Sequence, residues 1–407
     1  MSDSYDVIVV GARCAGSPTA MLLARRGYKV LLVDKSTFPS EIPHGHFIHR
    51  HGPRRLREWG LLDRLVASGC PPITAMTLDV GAFSLTGCNL ALDGVAAGYG
   101  PRRGVLDKLL IDAADTAGAE VRENFLVEGL ASADNRIIGI RGRDRKGGVL
   151  VTECATITVG ADGRGSLLAR SVRAPEYKAY PPVTCWYFSY WAGVPSNALE
   201  LYMRSGRMIF AFPTNEDLFA VFVAWPIGEQ RAVQSDLERQ FLAALELAPE
   251  FAARLRGGQR VDRFYGAANL PHFLRKPYGP GWALVGDAGC HKDPYLALGI
   301  CDALRDANLL ADAIDAGLSG REPLDDAMAD YERRRNEAST VDYNMSIDAA
   351  QLKPPSFDER RILRGLRGNQ EMINQFFMAR EEMIPPETFF NRANLKRIWA
   401  NADSTEP

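Results

Sequence analysis

Tyr5-Asp6-Val7-Ile8-Val9-Val10-Gly11-Ala12-Arg13-Cys14-Ala15-Gly16 is an apolar run that ends in a glycine turn, with a helical pattern starting at Gly16. The helix is expected over residues 16–26 and stops at Gly27, a suitable C-terminal cap. A second strand, residues 29–33, closes on Asp34. Strand, tight turn, helix, strand and terminal acid make up the ADP-binding half of a dinucleotide fold. In such a unit the phosphates sit on free N–H groups at the helix N-terminus, and the acid accepts from a ribose. Arg13 stands where the usual G-x-G-x-x-G has its middle glycine, the residue that lets the backbone approach the pyrophosphate. Its side chain has to point away or contribute its guanidinium. An ordinary βαβ turn is the plainer alternative.

Two later motifs extend this reading. Gly160-Ala161-Asp162-Gly163-Arg164-Gly165-Ser166 follows the apolar run 155–159. Gly281-Trp282-Ala283-Leu284-Val285-Gly286-Asp287-Ala288 is followed by Pro294 and Gly299. Three motifs in this order, over about residues 5–335, resemble the flavin-dependent aromatic hydroxylase superfamily. This is the p-hydroxybenzoate hydroxylase-like fold, which also contains flavin-dependent halogenases and geranylgeranyl reductases. The motifs are specific to the superfamily and not to a substrate. The resemblance implies an α/β protein: an FAD-binding, Rossmann-like three-layer domain, a mostly antiparallel β-sheet substrate domain and a C-terminal helical extension. It implies FAD held by Gly11, Arg13, Ala15, Gly16, Asp34, Lys35, Arg103, Asp162, Gly286, Asp287, Pro294, Gly299 and Ile300.

Individual roles follow from the same resemblance. Asp287 comes after an apolar strand, where an acid costs free energy unless it is hydrogen-bonded. In the family it accepts from a ribityl hydroxyl; an N-cap is the alternative. Residues 294–299 are expected to bring a helix N-terminus to the flavin N1–C2=O edge, where reduced flavin carries negative charge. The family usually has a glycine and a polar residue before the last glycine, and here Ala297 and Leu298 stand instead. The Asp162 motif helps hold the pyrophosphate and meets NAD(P)H in aromatic hydroxylases. With no second G-x-G-x-x-G, NAD(P)H is expected to visit a shared cleft. Arg103 matches the arginine that opens a helix beside the cofactor; a solvated helix-start arginine is the alternative.

Composition bounds the rest. The 407 residues suggest two or three domains, and 46 % hydrophobic content is ample for a core. A net charge of −2 favours neither nucleic acid nor an acidic membrane. Seven cysteines without metal-ligand spacing fit a reduced cytoplasm. No apolar run approaches a membrane span, and the N-terminus has no signal pattern. The FAD domain is expected to be discontinuous, over residues 1–72, 101–173 and 276–335. The substrate domain takes 73–100 and 174–275, with strands over 73–92 and about 174–275. Residues 336–407 form the helical extension, broken at Pro354-Pro355 and Pro385-Pro386, with residues 402–407 as a frayed tail. The extension is expected to cap a pocket or to form a homodimer contact, and the sequence does not choose.

Four of the six histidines lie in His44-Gly45-His46-Phe47-Ile48-His49-Arg50-His51. Related flavoproteins run this loop along the isoalloxazine. A flavin-lining loop, a solvated His-rich loop and a metal site all compete, and a covalent histidyl-flavin cannot be read from sequence. No carboxylate or cysteine joins the cluster at ligand spacing, so no metal is expected. His46, His44 and His291 are the candidate acid–base residues, because imidazole titrates near neutrality.

Cys185-Trp186-Tyr187-Phe188-Ser189-Tyr190-Trp191 is the aromatic stretch. As a strand it puts Trp186, Phe188 and Tyr190 on one face, with Phe210, Phe212 and Phe222 expected to add to it. Trp186, Phe188, Tyr190 and Phe212 are the candidate substrate contacts; sheet core against helices is the equal alternative. The resulting expectation is a cytoplasmic FAD-dependent monooxygenase, reduced by NAD(P)H. It would hydroxylate a planar, largely apolar aromatic small molecule with O2 through a flavin C4a-hydroperoxide. The alternatives are an alkene-saturating reductase, a flavin halogenase or a non-enzyme flavin redox protein. A halogenase needs a lysine beside a channel and typically a W-x-W-x-I-P segment, which residues 186–191 do not match.

Overall fold

The computed structural model describes residues 4–42, 44–88, 94–95, 97–381 and 384–404. The chain forms two compact units. The first comprises residues 1–46, 102–182 and 270–348, and the second 47–101, 183–269 and 349–407.

The first unit is built on a parallel sheet. The strand Tyr5–Val10 lies between Val30–Val33 and Val151–Gly160, with Trp282–Leu284 and Glu120–Arg122 outside them, all parallel. Such strands are buried on both faces, which is why they read as continuous apolar runs. On one face Ile8, Val10, Leu31 and Val33 pack against Phe125 and Ile140 of the antiparallel hairpin Phe125–Ala133 and Arg136–Asp144. The helices Gly16–Ala24, Arg103–Thr116 and Gly299–Leu318 form a third layer. The first helix ends at Ala24, two residues before the expected Arg26, and Gly27 follows at φ +89°. A small sheet, Glu176–Tyr180, His272–Arg275 and Cys290–His291, completes the unit.

The second unit holds a mostly antiparallel sheet. Thr184–Ala192, Leu218–Pro226, Arg207–Thr214 and Ala198–Arg204 run antiparallel in that spatial order, and Ala75–Asp79 joins parallel to the last. Cys185, Tyr187, Trp191, Val221, Val223 and Trp225 face the helices Leu237–Leu245 and Pro249–Arg256, with Phe241 and Phe251 between them. This face of the sheet is a core covered by helices.

Several expected boundaries shift, each for a packing reason. Residues 47–72 go with the second unit, because Ile48 bridges Tyr99 and Pro72–Ile73 pairs with Gly98–Tyr99. Residues 174–182 and 270–275 go with the first, through their pairing in the small sheet. Residues 336–348 also go with the first, because Leu324–Ala349 is one helix. It is anchored where Tyr331 Oη donates to Leu284 O (2.8 Å) and Arg335 to Arg275 O (2.8 Å). Residues 349–407 join the second unit: the Gly206 N–H donates to Leu352 O (2.9 Å) and the Cys88 N–H to Asn374 Oδ1 (3.0 Å). The tail is helical through 404, within Arg392–Ser404, and Ile398 and Ala402 are buried against the helix Phe357–Gly365. Residues 405–407 and, in the expected strand 73–92, residues 89–92 lie outside the described residues.

Candidate functional site

The three glycine motifs interlock in the first unit. A Cβ on Gly11, at φ +104°, would meet Ala161 O at 2.4 Å, and one on Gly16 would meet Gly11 O at 1.8 Å. A Cβ on Gly286 would meet Ala15 Cβ at 2.7 Å. Backbone hydrogen bonds tie the same segments: the Ala161 N–H donates to Val10 O (2.8 Å) and the Val285 N–H to Gly160 O (3.0 Å). These glycines are therefore needed for the motifs to touch one another, as well as for turn geometry.

The helix Gly16–Ala24 has no side-chain cap and no acid in its first turn. Its N-terminal N–H groups and dipole suit an anion. Asp34 is buried and accepts from the Ala12 N–H (2.8 Å) and the Ser36 N–H (2.7 Å), which orients the carboxylate beside the turn. Arg13 points away from that turn. Its guanidinium reaches Asp107 Oδ2 (2.5 Å) and Ser40 Oγ (3.2 Å), and lies over the Phe38 ring. Arg103 opens its helix and is buried, donating to Asp107 Oδ1 (2.9 Å). Cys14 Sγ stands 3.5 Å from the same oxygen, and burial pushes its thiol up to about 12, so it remains an S–H donor. Asp107 itself is fully buried. Two guanidiniums against one carboxylate leave a net positive charge beside the uncapped helix, whose free N–H groups fit a pyrophosphate.

Asp162 caps the short helix Leu167–Ser171 through the Leu167 N–H (2.6 Å). Asp287 is half-buried in the turn Gly286–Ala288. Its charge, with those of Arg103, Arg13 and Arg164, is felt at His44. Protein packed around His44 lowers its pKa to about 4; the arginines act the same way and Asp287 opposes them. Because His44 keeps much of its surface in solvent, the arginines are the firmer cause. His291 is buried, donates through Nδ1 to Pro271 O, and stacks on Phe273; burial lowers its pKa and Asp287 partly restores it. Both rings are thus held neutral at neutral pH. Lys35 is exposed, and its carbonyl accepts from Arg145 (3.0 Å).

Pro294 opens a 3₁₀ turn capped by Asp293, whose Oδ1 accepts from the Tyr295 N–H (3.0 Å). Ala297 adopts the left-handed conformation, φ 53°, where the family has glycine. A Cβ on Gly299 would meet nothing within 4 Å, so the start of Gly299–Leu318 is open to an approaching group. Ile300 is buried behind it.

The histidine cluster divides between the units. His46, the last residue of the first unit, is buried at 1 % exposure. His49 and His51 are half-buried and both bond to Glu381 in the second unit. A simple solvated loop therefore does not describe the cluster, since of its four rings His44 alone is exposed. Among the described residues no group of three ligand-type side chains is placed to hold a metal. Pro43 lies outside the described residues.

On the sheet face opposite the helices, Phe188, Phe222 and Phe210 are successive cross-strand partners. Phe188 stacks on Phe222 at 4.4 Å and Phe212 stacks on it at 5.5 Å. Trp186 and Tyr190 share the strand face with Phe188. Phe47 packs on Phe210 (5.8 Å) and Phe212 (5.5 Å), and Tyr265 stacks on Phe188 (5.3 Å). The result is an aromatic wall. Asp107, Asp293 and Glu381 were missed in the sequence. For Asp107 a signal existed: it lies four residues after Arg103 on one helix face, where opposite charges pair.

The FAD binding domain family model matches residues 4–341. A digeranylgeranylglycerophospholipid reductase of Methanosarcina acetivorans is 28% identical over 368 residues, 85% of this chain and 84% of its own. The myxobacterial chondrochloren halogenase CndH superposes with a TM-score of 0.79 at 20% identity, covering 100% of this chain and 98% of its own. Pseudomonas aeruginosa PqsL, solved with 2-aminobenzoylacetate, gives a TM-score of 0.74 at 22% identity, covering 86% of this chain and 96% of its own.

Proposed function

We propose that this chain, which belongs to the FAD binding domain family, is an NAD(P)H-driven monooxygenase that hydroxylates a planar, largely apolar aromatic molecule with O2. Bound FAD supplies the electron transfer and the activation of oxygen. The protein's part is binding, orientation and charge. Gly11, Gly16 and the first helix hold the pyrophosphate, with the Arg13–Asp107–Arg103 cluster beside them. The open start of Gly299–Leu318 offers a positive helix end to the flavin ring. The neutral rings of His44 and His291, with buried His46, are the acid–base candidates on the cofactor side.

The observation that carries the reading is the aromatic face of Phe188, Phe222 and Phe210, with the fully buried Phe212 behind it, which suits a flat guest and keeps water from it. Residues 186–191 do not match the W-x-W-x-I-P segment, which disfavours the halogenase alternative. The reductase remains the second reading, on the strength of the archaeal relatives; the density of rings favours a flat guest over a long prenyl chain. Turnover of a small aromatic library under ¹⁸O2 tests the choice. One labelled oxygen in the product is expected. An unlabelled, hydrogenated product formed anaerobically would establish the reductase instead.

A further inference from the structure

The helix Gly299–Leu318, whose open start serves the flavin in the function proposed above, carries an acid in its first turn. This is Asp302, whose N–H donates to Leu298 O (2.9 Å). A carboxylate there weakens the positive helix end that an anion would meet. Two cations hold it. Lys292 Nζ lies 2.6 Å from Asp302 Oδ2 and 3.8 Å from Asp342 Oδ2. Arg305 Nη1 lies 2.7 Å from Asp302 Oδ1. Arg305 is shared, with Asp306 Oδ1 at 2.8 Å and Ser339 Oγ at 2.9 Å. Asp302 therefore depends on Lys292 for the rest of its countercharge. The Lys292 side chain is only 6 % exposed. Burial opposes its charge, but the carboxylates of Asp302 and Asp342 outweigh burial, so it stays protonated. Burial likewise opposes the charge of Asp302, and Lys292 and Arg305 outweigh it, which holds this carboxyl below its usual range. All these residues belong to the first unit, with the glycine motifs.

We propose that Lys292 is the charge-balancing residue of the flavin site: its buried ammonium offsets Asp302, so that the start of Gly299–Leu318 keeps a positive field for the negative charge of reduced flavin. This rests on that helix start lying at the flavin, as in the function proposed above. Hydride from NAD(P)H brings two electrons and one proton, which leaves one added negative charge on the flavin. A positive field favours that form over the oxidised one. Removing the ammonium shifts the layer behind the helix start by one negative charge, and removing the carboxylate shifts it by one positive charge. The pair is buried, so salt screens it little. Lys292 acts through Asp302 and the helix end, which makes it a positioning residue. It also lies between the strand Cys290–His291 and the turn Pro294–Leu296, and ties that connection to the first turn of the helix. A purely mechanical tie would make the loss of either partner act in the same direction. A charge balance makes the two losses act in opposite directions.

The midpoint potential of the bound FAD reports this field, measured on the FAD-loaded protein by anaerobic titration against a redox dye. Lys292→Met is expected to lower it by at least about 30 mV, a tenfold change in the two-electron equilibrium constant. Asp302→Asn is expected to raise it by at least as much. The double variant and Lys292→Arg are both expected to stay within about threefold of the wild type in that constant. Shifts of the same sign in Lys292→Met and Asp302→Asn, or a shift below tenfold in Lys292→Met, overturn the inference. If Lys292→Met does not fold, Asp302→Asn decides alone by the same tenfold limit. A protein that labels an aromatic product with ¹⁸O but lacks the opposite shifts overturns the role of Lys292 and leaves the proposed function standing. Opposite shifts without a labelled product overturn the function alone.

Discussion

Asp107 shows how one side chain lets an arginine stand where the turn usually needs glycine. Its carboxylate, fully buried, accepts from Arg13 (2.5 Å) and Arg103 (2.9 Å). Removing one partner of such a buried pair is costly, because the other charge stays buried without compensation. Asp107→Asn is expected to destabilise the protein by about 3 kcal/mol and to weaken FAD binding. Thermal melts and quenching of flavin fluorescence check both, and an unchanged melt with unchanged affinity would refute it. Ala297 is a milder case. Its left-handed backbone, φ 53° and ψ 27°, costs a residue with a Cβ about 1–2 kcal/mol, part of which glycine returns as chain entropy. Ala297→Gly is expected to stabilise by about 0.5–1 kcal/mol, seen as a higher melting temperature. A lower one would mean that the methyl group packs usefully.

At the scale of elements, the small sheet Glu176–Tyr180, His272–Arg275, Cys290–His291 supports the turn that precedes the helix Gly299–Leu318. His272 is fully buried in it, and its Nδ1 accepts from the Asp293 N–H at 3.4 Å. Burial, reinforced by His291 and Lys292, lowers its pKa from 6.5 to about 4. The folded state therefore refuses a proton that the unfolded state binds. This group costs nothing above about pH 6.5, and stability falls as the pH drops from there towards about 4, by up to about 3 kcal/mol. His272→Asn keeps an acceptor for the Asp293 N–H and removes the titration. Its melting temperature should fall less than that of the wild type between pH 6.5 and 4. Parallel curves would refute the assignment.

Over the whole molecule, residues 11–16, 160–166 and 286–299 are far apart in the chain and meet in one unit. A ligand that binds only the folded form stabilises it by about 2.7 kcal/mol at a hundred times its Kd. Added FAD is therefore expected to slow amide hydrogen exchange in all three segments together, and to do so in proportion to occupancy. Protection confined to residues 11–16 would mean that the later motifs do not share the cofactor.

What the sequence determined by itself was local. The strand Tyr5–Val10, the glycine turn and the start at Gly16 follow from backbone preference and periodicity over a few residues, and the structure has them at those positions. The alternation along Thr184–Ala192 likewise divided its rings into two faces. What covers each face was decided only by the tertiary structure: Phe241 and Phe251 cover Tyr187 and Trp191, while Phe188, equally buried, stacks among Phe222 and Tyr265. The partner of Arg13 depends on the helix Arg103–Thr116 lying beside the turn, and the partner of His49 arrives from Glu381, 332 residues away. Short-range propensity carries no information about such pairings. They are settled by which buried charges find one another once the layers pack, because a buried charge left alone costs more than the chain can spare.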